Sequence, residues 1–390
     1  MRNAAVTPLT RLLALSQPEK QQLGLLYTPA EIAQQPATWA TTHLLFEEFR
    51  PELTSFLRRA HSERWTIYLV GAGTSDYIGH AVANLLRKRW QCEVCAVAST
   101  DLLTNRDDLV IPNRDYLWIS FSRSGDSPEG VAVLAQALEL HPNVRHLVVS
   151  CNKNGRMVEL ALADKNSFAM LLDDAVNDRS LAMTSSFTNM VLFGQELAHL
   201  WDNVPFEKTL EQMIVAAEHV LHEGSFLAHT LAQNGYLRAC FVGSGALGAT
   251  ARESALKLLE LTSGGIQTMN ETTLGLRHGP MSSLNADTLF TGFISTDSNR
   301  RRYDIDLVNE IRAKQVVRTI VTIGQPDAAS DYSLHCAAFD RVDDAYRPAV
   351  DVIFSQMLGL FASIELGLQP DSPSPNGLIS RVVEKFAIYA

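Results

Sequence analysis

Short apolar runs rich in β-branched residues alternate with longer stretches of helical period along most of the chain. Ile67-Tyr-Leu-Val70, Leu117-Trp-Ile-Ser-Phe121 and Leu147-Val-Val-Ser150 read as buried strands, each followed by a helical segment. The pattern then recurs. Ile67-Tyr-Leu-Val-Gly-Ala-Gly-Thr-Ser75 is echoed by Ala239-Cys-Phe-Val-Gly-Ser-Gly-Ala-Leu247. Leu117-Trp-Ile-Ser-Phe-Ser122 is echoed by Phe290-Thr-Gly-Phe-Ile-Ser295, and Leu147-Val-Val-Ser-Cys151 by Thr319-Ile-Val-Thr-Ile323. All three pairs are offset by roughly 172 to 174 positions, the mark of a duplicated unit. Strands alternating with helices form βαβ units on a parallel sheet. The expected fold is therefore α/β, with two tandem doubly wound parallel sheets, each flanked by helices.

The segments outside the repeat set the remaining boundaries. Residues 1–50 are expected to be a helical extension packing on the first sheet, with Thr28-Pro-Ala-Glu31 as a capping box and helical period over residues 39–59. Residues 51–205 form the first domain and 206–368 the second, with a helical connector over 202–235. Residues 369–390 are a tail that begins Gln-Pro-Asp-Ser-Pro-Ser-Pro-Asn-Gly and is expected to end in a short docked helix over 378–386.

Composition narrows the class. At 390 residues with 46% apolar content, the chain can build two ordinary globular cores. A formal net charge of −10 argues against nucleic acid or an anionic membrane as partner. No run approaches the roughly 18 apolar residues of a membrane helix, and Met1-Arg-Asn-Ala-Ala-Val-Thr-Pro8 lacks a signal-peptide core. The five cysteines are few, odd in number and scattered, which points to the cytosol. Cys92 and Cys95 sit three apart in a strand-like run, so alternation sends them to opposite faces, and neither redox nor zinc chemistry is expected there.

An anionic ligand must then find local donors, and one stretch offers them. Ser122-Arg-Ser-Gly-Asp-Ser-Pro-Glu129 joins a strand to a helix and gathers the hydroxyls of Ser122, Ser124 and Ser127 at a helix N-terminus. Hydroxyls, backbone N–H groups and the helix dipole together hold a phosphate without a metal. Gly71-Ala-Gly-Thr-Ser75 similarly opens a helix at a strand's C-terminal end, which brings Gly73, Thr74 and Ser75 to the same edge. Its second copy, Gly243-Ser-Gly-Ala-Leu-Gly248, matches a dinucleotide fingerprint with Glu271 downstream. A nicotinamide-dependent oxidoreductase is thus a rival class, against which the repeat explains the glycines as turns.

Glu253, Lys257 and Glu260 share one stripe of the helical run 249–261, opposite Ala251, Ala255, Leu258 and Leu259. By spacing alone, a Glu and a Lys four apart read as a solvated face. Gly275-Leu-Arg-His-Gly-Pro280 is a glycine-bounded loop displaying Arg277 and His278, the latter a candidate for proton transfer.

Together, the serine loop, the Gly-Ala-Gly-Thr-Ser turn, Glu253-Ser-Ala-Leu-Lys-Leu-Leu-Glu260 and Arg277-His-Gly-Pro280 resemble the tandem sugar-isomerase (SIS) proteins, most closely the AgaS type. The Ala-Met-Thr-Ser-Ser signature of that type stands at residues 182–186 and brings Thr184 and Ser185 into the candidate set. The resemblance covers about residues 25 to 385, with a more distant likeness to the isomerase half of glucosamine-6-phosphate synthase. It implies an aldose–ketose isomerase and deaminase that turns D-galactosamine-6-phosphate into D-tagatose-6-phosphate and ammonia, with no cofactor and no metal. Thr74, Ser75, Ser122, Arg123, Ser124 and Ser127 would hold the sugar phosphate, Glu260 would move a proton between C2 and C1, and His278 would open the ring from a neighbouring subunit of a homo-oligomer. Glu253 and Lys257 would line the same cleft. The synthase's C-terminal lysine has no counterpart, since Ser380 and Arg381 stand there, and Arg123 replaces a glutamine. A phosphosugar sensor is the non-catalytic alternative, since these folds also serve regulators. It would need the serine loop but not Glu260.

Overall fold

The computed structural model describes residues 6–202, 206–384 and 386–389. Residues 1–5, the start of the stretch searched for a signal peptide, and residues 203–205 of the expected connector lie outside them. Helices α1 (Pro8–Leu13), α2 (Gln17–Leu23) and α3 (Thr28–Ala33) lead into the long α4 (Gln35–Ser62). The first repeat then runs β1 (Thr66–Gly71), α5 (Thr74–Trp90), β2 (Val94–Ala98), α6 (Ser99–Leu109), β3 (Tyr116–Ser122), α7 (Pro128–Leu140), β4 (Val144–Ser150), α8 (Arg156–Ala163), β5 (Ser167–Leu171) and α9 (Ser185–Ala198). After α10 (Glu207–Ala232) come β6 (Arg238–Val242), α11 (Ala246–Leu261), β7 (Gln267–Glu271), β8 (Thr288–Phe293), α12 (Ser298–Lys314), β9 (Thr319–Ile323), β10 (Tyr332–Leu334) and α13 (Arg347–Glu365).

Each repeat makes one five-stranded sheet, ordered β2-β1-β3-β4-β5 and β10-β9-β8-β6-β7. All recorded strand pairings are parallel, in register from Ile67–Val94 to Ser150–Leu171 in the first sheet and from Arg238–Gln267 to Leu334–Ile323 in the second. Read from opposite edges, the two strand orders are the same doubly wound topology. Strands β1, β3, β8 and β9 are buried at every position, as a sheet covered by helices on both faces requires. One core packs Tyr68, Val70, Trp118, Val133 and Val144, and the other packs Cys240, Val242, Phe290, Leu307, Ile311 and Ile320.

The chain divides into two compact units, residues 37–178 with 185–207 and 380–390, and residues 208–379 with 1–36 and 179–184. The expected N-terminal extension is therefore divided: α4 belongs with the first sheet, while α1 to α3 pack with the second. Asp371 supplies the reason. Its carboxylate accepts from the backbone N–H of Leu26 (2.6 Å) and Thr28 (2.8 Å) and from the Thr28 hydroxyl (2.7 Å). This distant acid takes over the work expected of a capping box, which does not form, since α3 carries no side-chain cap of its own. Glu31 instead accepts from the Ser180 hydroxyl at 2.5 Å.

The tail differs from expectation too. A single 3₁₀ turn covers Pro375–Gly377, and the described residues of 378–389 hold no helix. Helix α13 is long and apolar enough to cross a membrane by length and composition, yet 89% of its apolar window is buried inside the protein. Cys95 lies on β2 and Cys92 just before it, and burial pushes the Cys92 thiol up to about 11, which keeps it protonated.

Candidate active site

In a doubly wound sheet the crevice opens where consecutive crossovers leave on opposite faces, at the C-terminal ends of the strands. In the first sheet this point lies between β1 and β3, so the turn into α5 and the loop into α7 flank it. Gly73 precedes α5 at φ +56°, ψ −126°, and Gly245 repeats the turn before α11 at φ +61°, ψ −127°. Only glycine adopts that conformation readily. The second-domain Gly-x-Gly-x-x-Gly is thus the same structural turn. Thr74 and Ser75 follow in the first turn of α5, both nearly buried.

The serine loop is braced from behind. Asn152 Nδ2 donates to the Ser124 carbonyl (2.7 Å), Arg156 N–H to Asp126 Oδ1 (2.8 Å) and Met157 N–H to the Gly125 carbonyl (2.9 Å). Gly125 sits at φ +67°, and a Cβ there would approach the Gly155 Cα to 3.0 Å. The Ser122 hydroxyl accepts from Gly125 N–H (3.0 Å) and the Ser124 hydroxyl from Asp126 N–H (3.2 Å). Ser127 does not cap α7 with its side chain. The hydroxyl protons of Ser122, Ser124 and Ser127 find no acceptor among the described residues, and they lie at the N-terminus of a 13-residue helix that begins with Pro128.

Two guanidinium groups reinforce the positive character of this loop. Arg123 is buried and donates from Nη2 to the Arg381 carbonyl at 2.7 Å. Arg381 donates from Nε to the Asp178 carbonyl at 2.6 Å and from Nη2 to Asn177 Oδ1 at 2.5 Å, both neutral oxygens. The tail is thereby tied down through Arg381 without forming a helix. Thr184 and Ser185, by contrast, are fully buried. Ser185 N–H and Ser186 N–H donate to the Asp178 carboxylate at 3.0 and 2.9 Å, so this part of the signature forms the capped start of α9.

In the second domain the Glu253–Lys257–Glu260 stripe is the reverse of a solvated face. Glu253 and Lys257 are fully buried, with Lys257 Nζ 3.3 Å from Glu253 Oε1 and also hydrogen-bonded to Glu260 Oε2. Leu259, expected on the buried face, is instead exposed. Helix α11 packs against the sheet on one side and against α13, itself buried from Arg347 to Ser363, on another. Spacing reveals which residues share a face but not what lies opposite. Burial disfavours the Lys257 cation, but the two carboxylates outweigh it and hold its pKa above the ordinary value. Of the three, Glu260 alone keeps part of its side chain, 29%, open. It is thus the member of the three exposed enough to touch a ligand.

His278 is exposed just after a 3₁₀ turn, Gly275–Arg277. Arg277 fastens this turn to α12, with Nε 2.6 Å from Glu310 Oε2 and Nη2 2.9 Å from Asp306 Oδ2. Its charge is therefore engaged within its own domain. The residues that sequence reasoning missed are the braces: Asn152, Asp178 and Asp371. Asp178 stands a few residues before a helix start and could have been suspected as an anchor. The others carry no local signal. An open groove of ≈ 770 Å³ along α12, lined by Arg301, Arg302, Tyr303 and Asn309, contains none of the candidate residues.

No family model matches the chain. An AgaS protein of Streptomyces coelicolor is 35% identical over 371 residues, 94% of this chain and 96% of that one. D-galactosamine-6-phosphate deaminase AgaS of Escherichia coli is 33% identical over 372 residues, 93% of this chain and 95% of its own. The crystal structure of tagatose-6-phosphate ketose/aldose isomerase from Escherichia coli matches with a TM-score of 0.81 at 32% identity, over 89% of this chain and 95% of that one. Two duplicated doubly wound sheets with a serine loop in the first define the class of tandem SIS proteins. Within that class the chain belongs to the AgaS family.

Proposed function

We propose that this protein converts D-galactosamine-6-phosphate and water to D-tagatose-6-phosphate and ammonia. The observation that carries the reading is Glu260, the one partly open member of a buried acid–lysine–acid stripe, in a chain one-third identical to named deaminases. The serine loop anchors the phosphate, so binding energy far from the reacting carbons holds the open-chain sugar in place. His278, exposed on its turn, serves ring opening for a neighbouring copy in a homo-oligomer. Glu260 takes the proton from C2, leaving an enolamine, and returns it to C1. The product is a C2 imine, whose hydrolysis releases ammonia and leaves the ketone. Lys257 orients Glu260 to act as the base. The same shift on a substrate bearing a C2 hydroxyl is plain isomerisation.

Incubation with galactosamine-6-phosphate and glucosamine-6-phosphate, with ammonia and ketose measured, tests the substrate directly. Glu260→Gln should lower kcat by about 1,000-fold while substrate binding persists. Undiminished turnover in that variant would remove the glutamate from the mechanism.

A further inference from the structure

Helices α4 and α9 meet at a cluster the sugar chemistry does not use. His43 and Glu47 lie four apart on α4, on one face of the helix, and Glu196 faces them from α9. His43 Nδ1 is 3.1 Å from Glu196 Oε1, and one ligand atom from each of the three residues lies within 4.8 Å of the other two. Glu196 is fully buried, yet its Oε2 has no hydrogen-bond partner among the described residues. A buried carboxylate oxygen left so is costly and uncommon.

We propose that His43, Glu47 and Glu196 bind a divalent transition-metal cation of the zinc class. The donor set, one imidazole nitrogen and two carboxylates, suits such an ion. Ligands at about 2.0 to 2.2 Å from a tetrahedral zinc stand about 3.3 to 3.6 Å from one another. The His43–Glu196 separation is already close to that edge, and Glu47, within 4.8 Å of both on a flexible side chain, closes in by a side-chain movement. Side-chain exposure of 14% at His43 and 41% at Glu47 gives the ion a path in, while Glu196 closes the inner side. The surrounding charge agrees: among the described residues no donor answers Glu196 Oε2. Glu207 adds a further negative field at His43. Arg50 opposes the ion, since it pairs with both oxygens of Glu47 at 2.5 and 2.9 Å and reaches the Leu200 carbonyl. Loading therefore trades the Arg50–Glu47 pair for a metal bond.

Full-length protein stripped with a chelator should take up one equivalent of Co²⁺ with visible ligand-field absorption, and Zn²⁺ should displace it. Glu196→Gln, an isosteric change that leaves the metal-free fold intact, should weaken binding at least about tenfold, and His43→Ala similarly. Arg50→Ala, which frees Glu47, should tighten it. Zn²⁺ should raise the melting temperature of the parent protein and not of Glu196→Gln. Substoichiometric uptake, unchanged affinity in Glu196→Gln, or a sulfur-to-cobalt band implicating a cysteine would each overturn the site.

Discussion

The loop after β3 and its counterpart after β8 occupy the same point of the same topology, and they differ in what answers their donors. In the first domain the hydroxyls of Ser122, Ser124 and Ser127 keep their protons free of any acceptor among the described residues. In the second, the chain supplies its own anion. The Asp344 carboxylate accepts from the Ser295 hydroxyl (2.5 Å), Thr296 N–H (2.9 Å) and the Thr296 hydroxyl (3.0 Å), while Asp304 accepts from Ser295 N–H (3.0 Å). Asp297 then caps α12, bonding Asn299 and Arg300 N–H at 3.1 and 2.9 Å. Fully buried Arg347 balances the acids, with Nη2 2.6 Å from Asp351 and Nη1 3.7 Å from Asp344. Although burial alone would raise it, these donors hold Asp344 below the usual carboxylate range. One duplicated architecture thus yields a loop whose hydroxyls stay unanswered among the described residues and a loop closed by an internal acid.

That contrast can be broken most forcefully at Asp344. Asp344→Ala removes the internal acceptor and leaves the Ser295 and Thr296 donors and Arg300 Nη1 without their carboxylate, so urea denaturation should show a loss of about 3–5 kcal/mol. Inorganic phosphate should restore part of the loss by occupying the vacated donors. A change under about 0.5 kcal/mol would mean that the network does not hold this crevice shut.

The next effect tests the first domain's core. His146 on β4 is fully buried, neither ring nitrogen has a partner among the described residues, and its pKa is pushed down to about 4, chiefly by burial. The imidazole is neutral in the folded state and titrates at about 6.5 in the unfolded chain. Its contribution is therefore complete above pH 6.5 and eroded as pH falls from there to about 4, for a total of about 3 kcal/mol. The matching strand β9, Thr319–Ile323, has no histidine. His146→Phe should flatten the acid limb of a stability-versus-pH curve. An unchanged limb would assign the acid sensitivity elsewhere.

The smallest effect is the most specific to the open crevice. Ser124→Ala removes one hydroxyl donor and should raise KM for a phosphorylated sugar about tenfold, the worth of one hydrogen bond to a charged group. Inhibition by the unphosphorylated sugar should not move. Equal losses for both ligands would contradict a phosphate role for the loop.

Strand and helix periodicity, and the internal echo of Ile67–Ser75 in residues 239–247, specify two copies of one α/β topology, because burial on a parallel sheet leaves a local apolar pattern. The serine loop and the glycine turns were legible for the same reason: their chemistry is contiguous in sequence. The burial of Glu253 and Lys257 was not legible, because it depends on α13, which lies nearly 100 residues further along. Nor were the carboxylates of Asp344 and Asp371, which meet their donors only across long sequence separations. The order of residues dictates which donors and acids exist and which of them share a face. Packing in three dimensions selects which donors are already answered from within, because a charge's partners are chosen by distance in space and by the water that packing excludes.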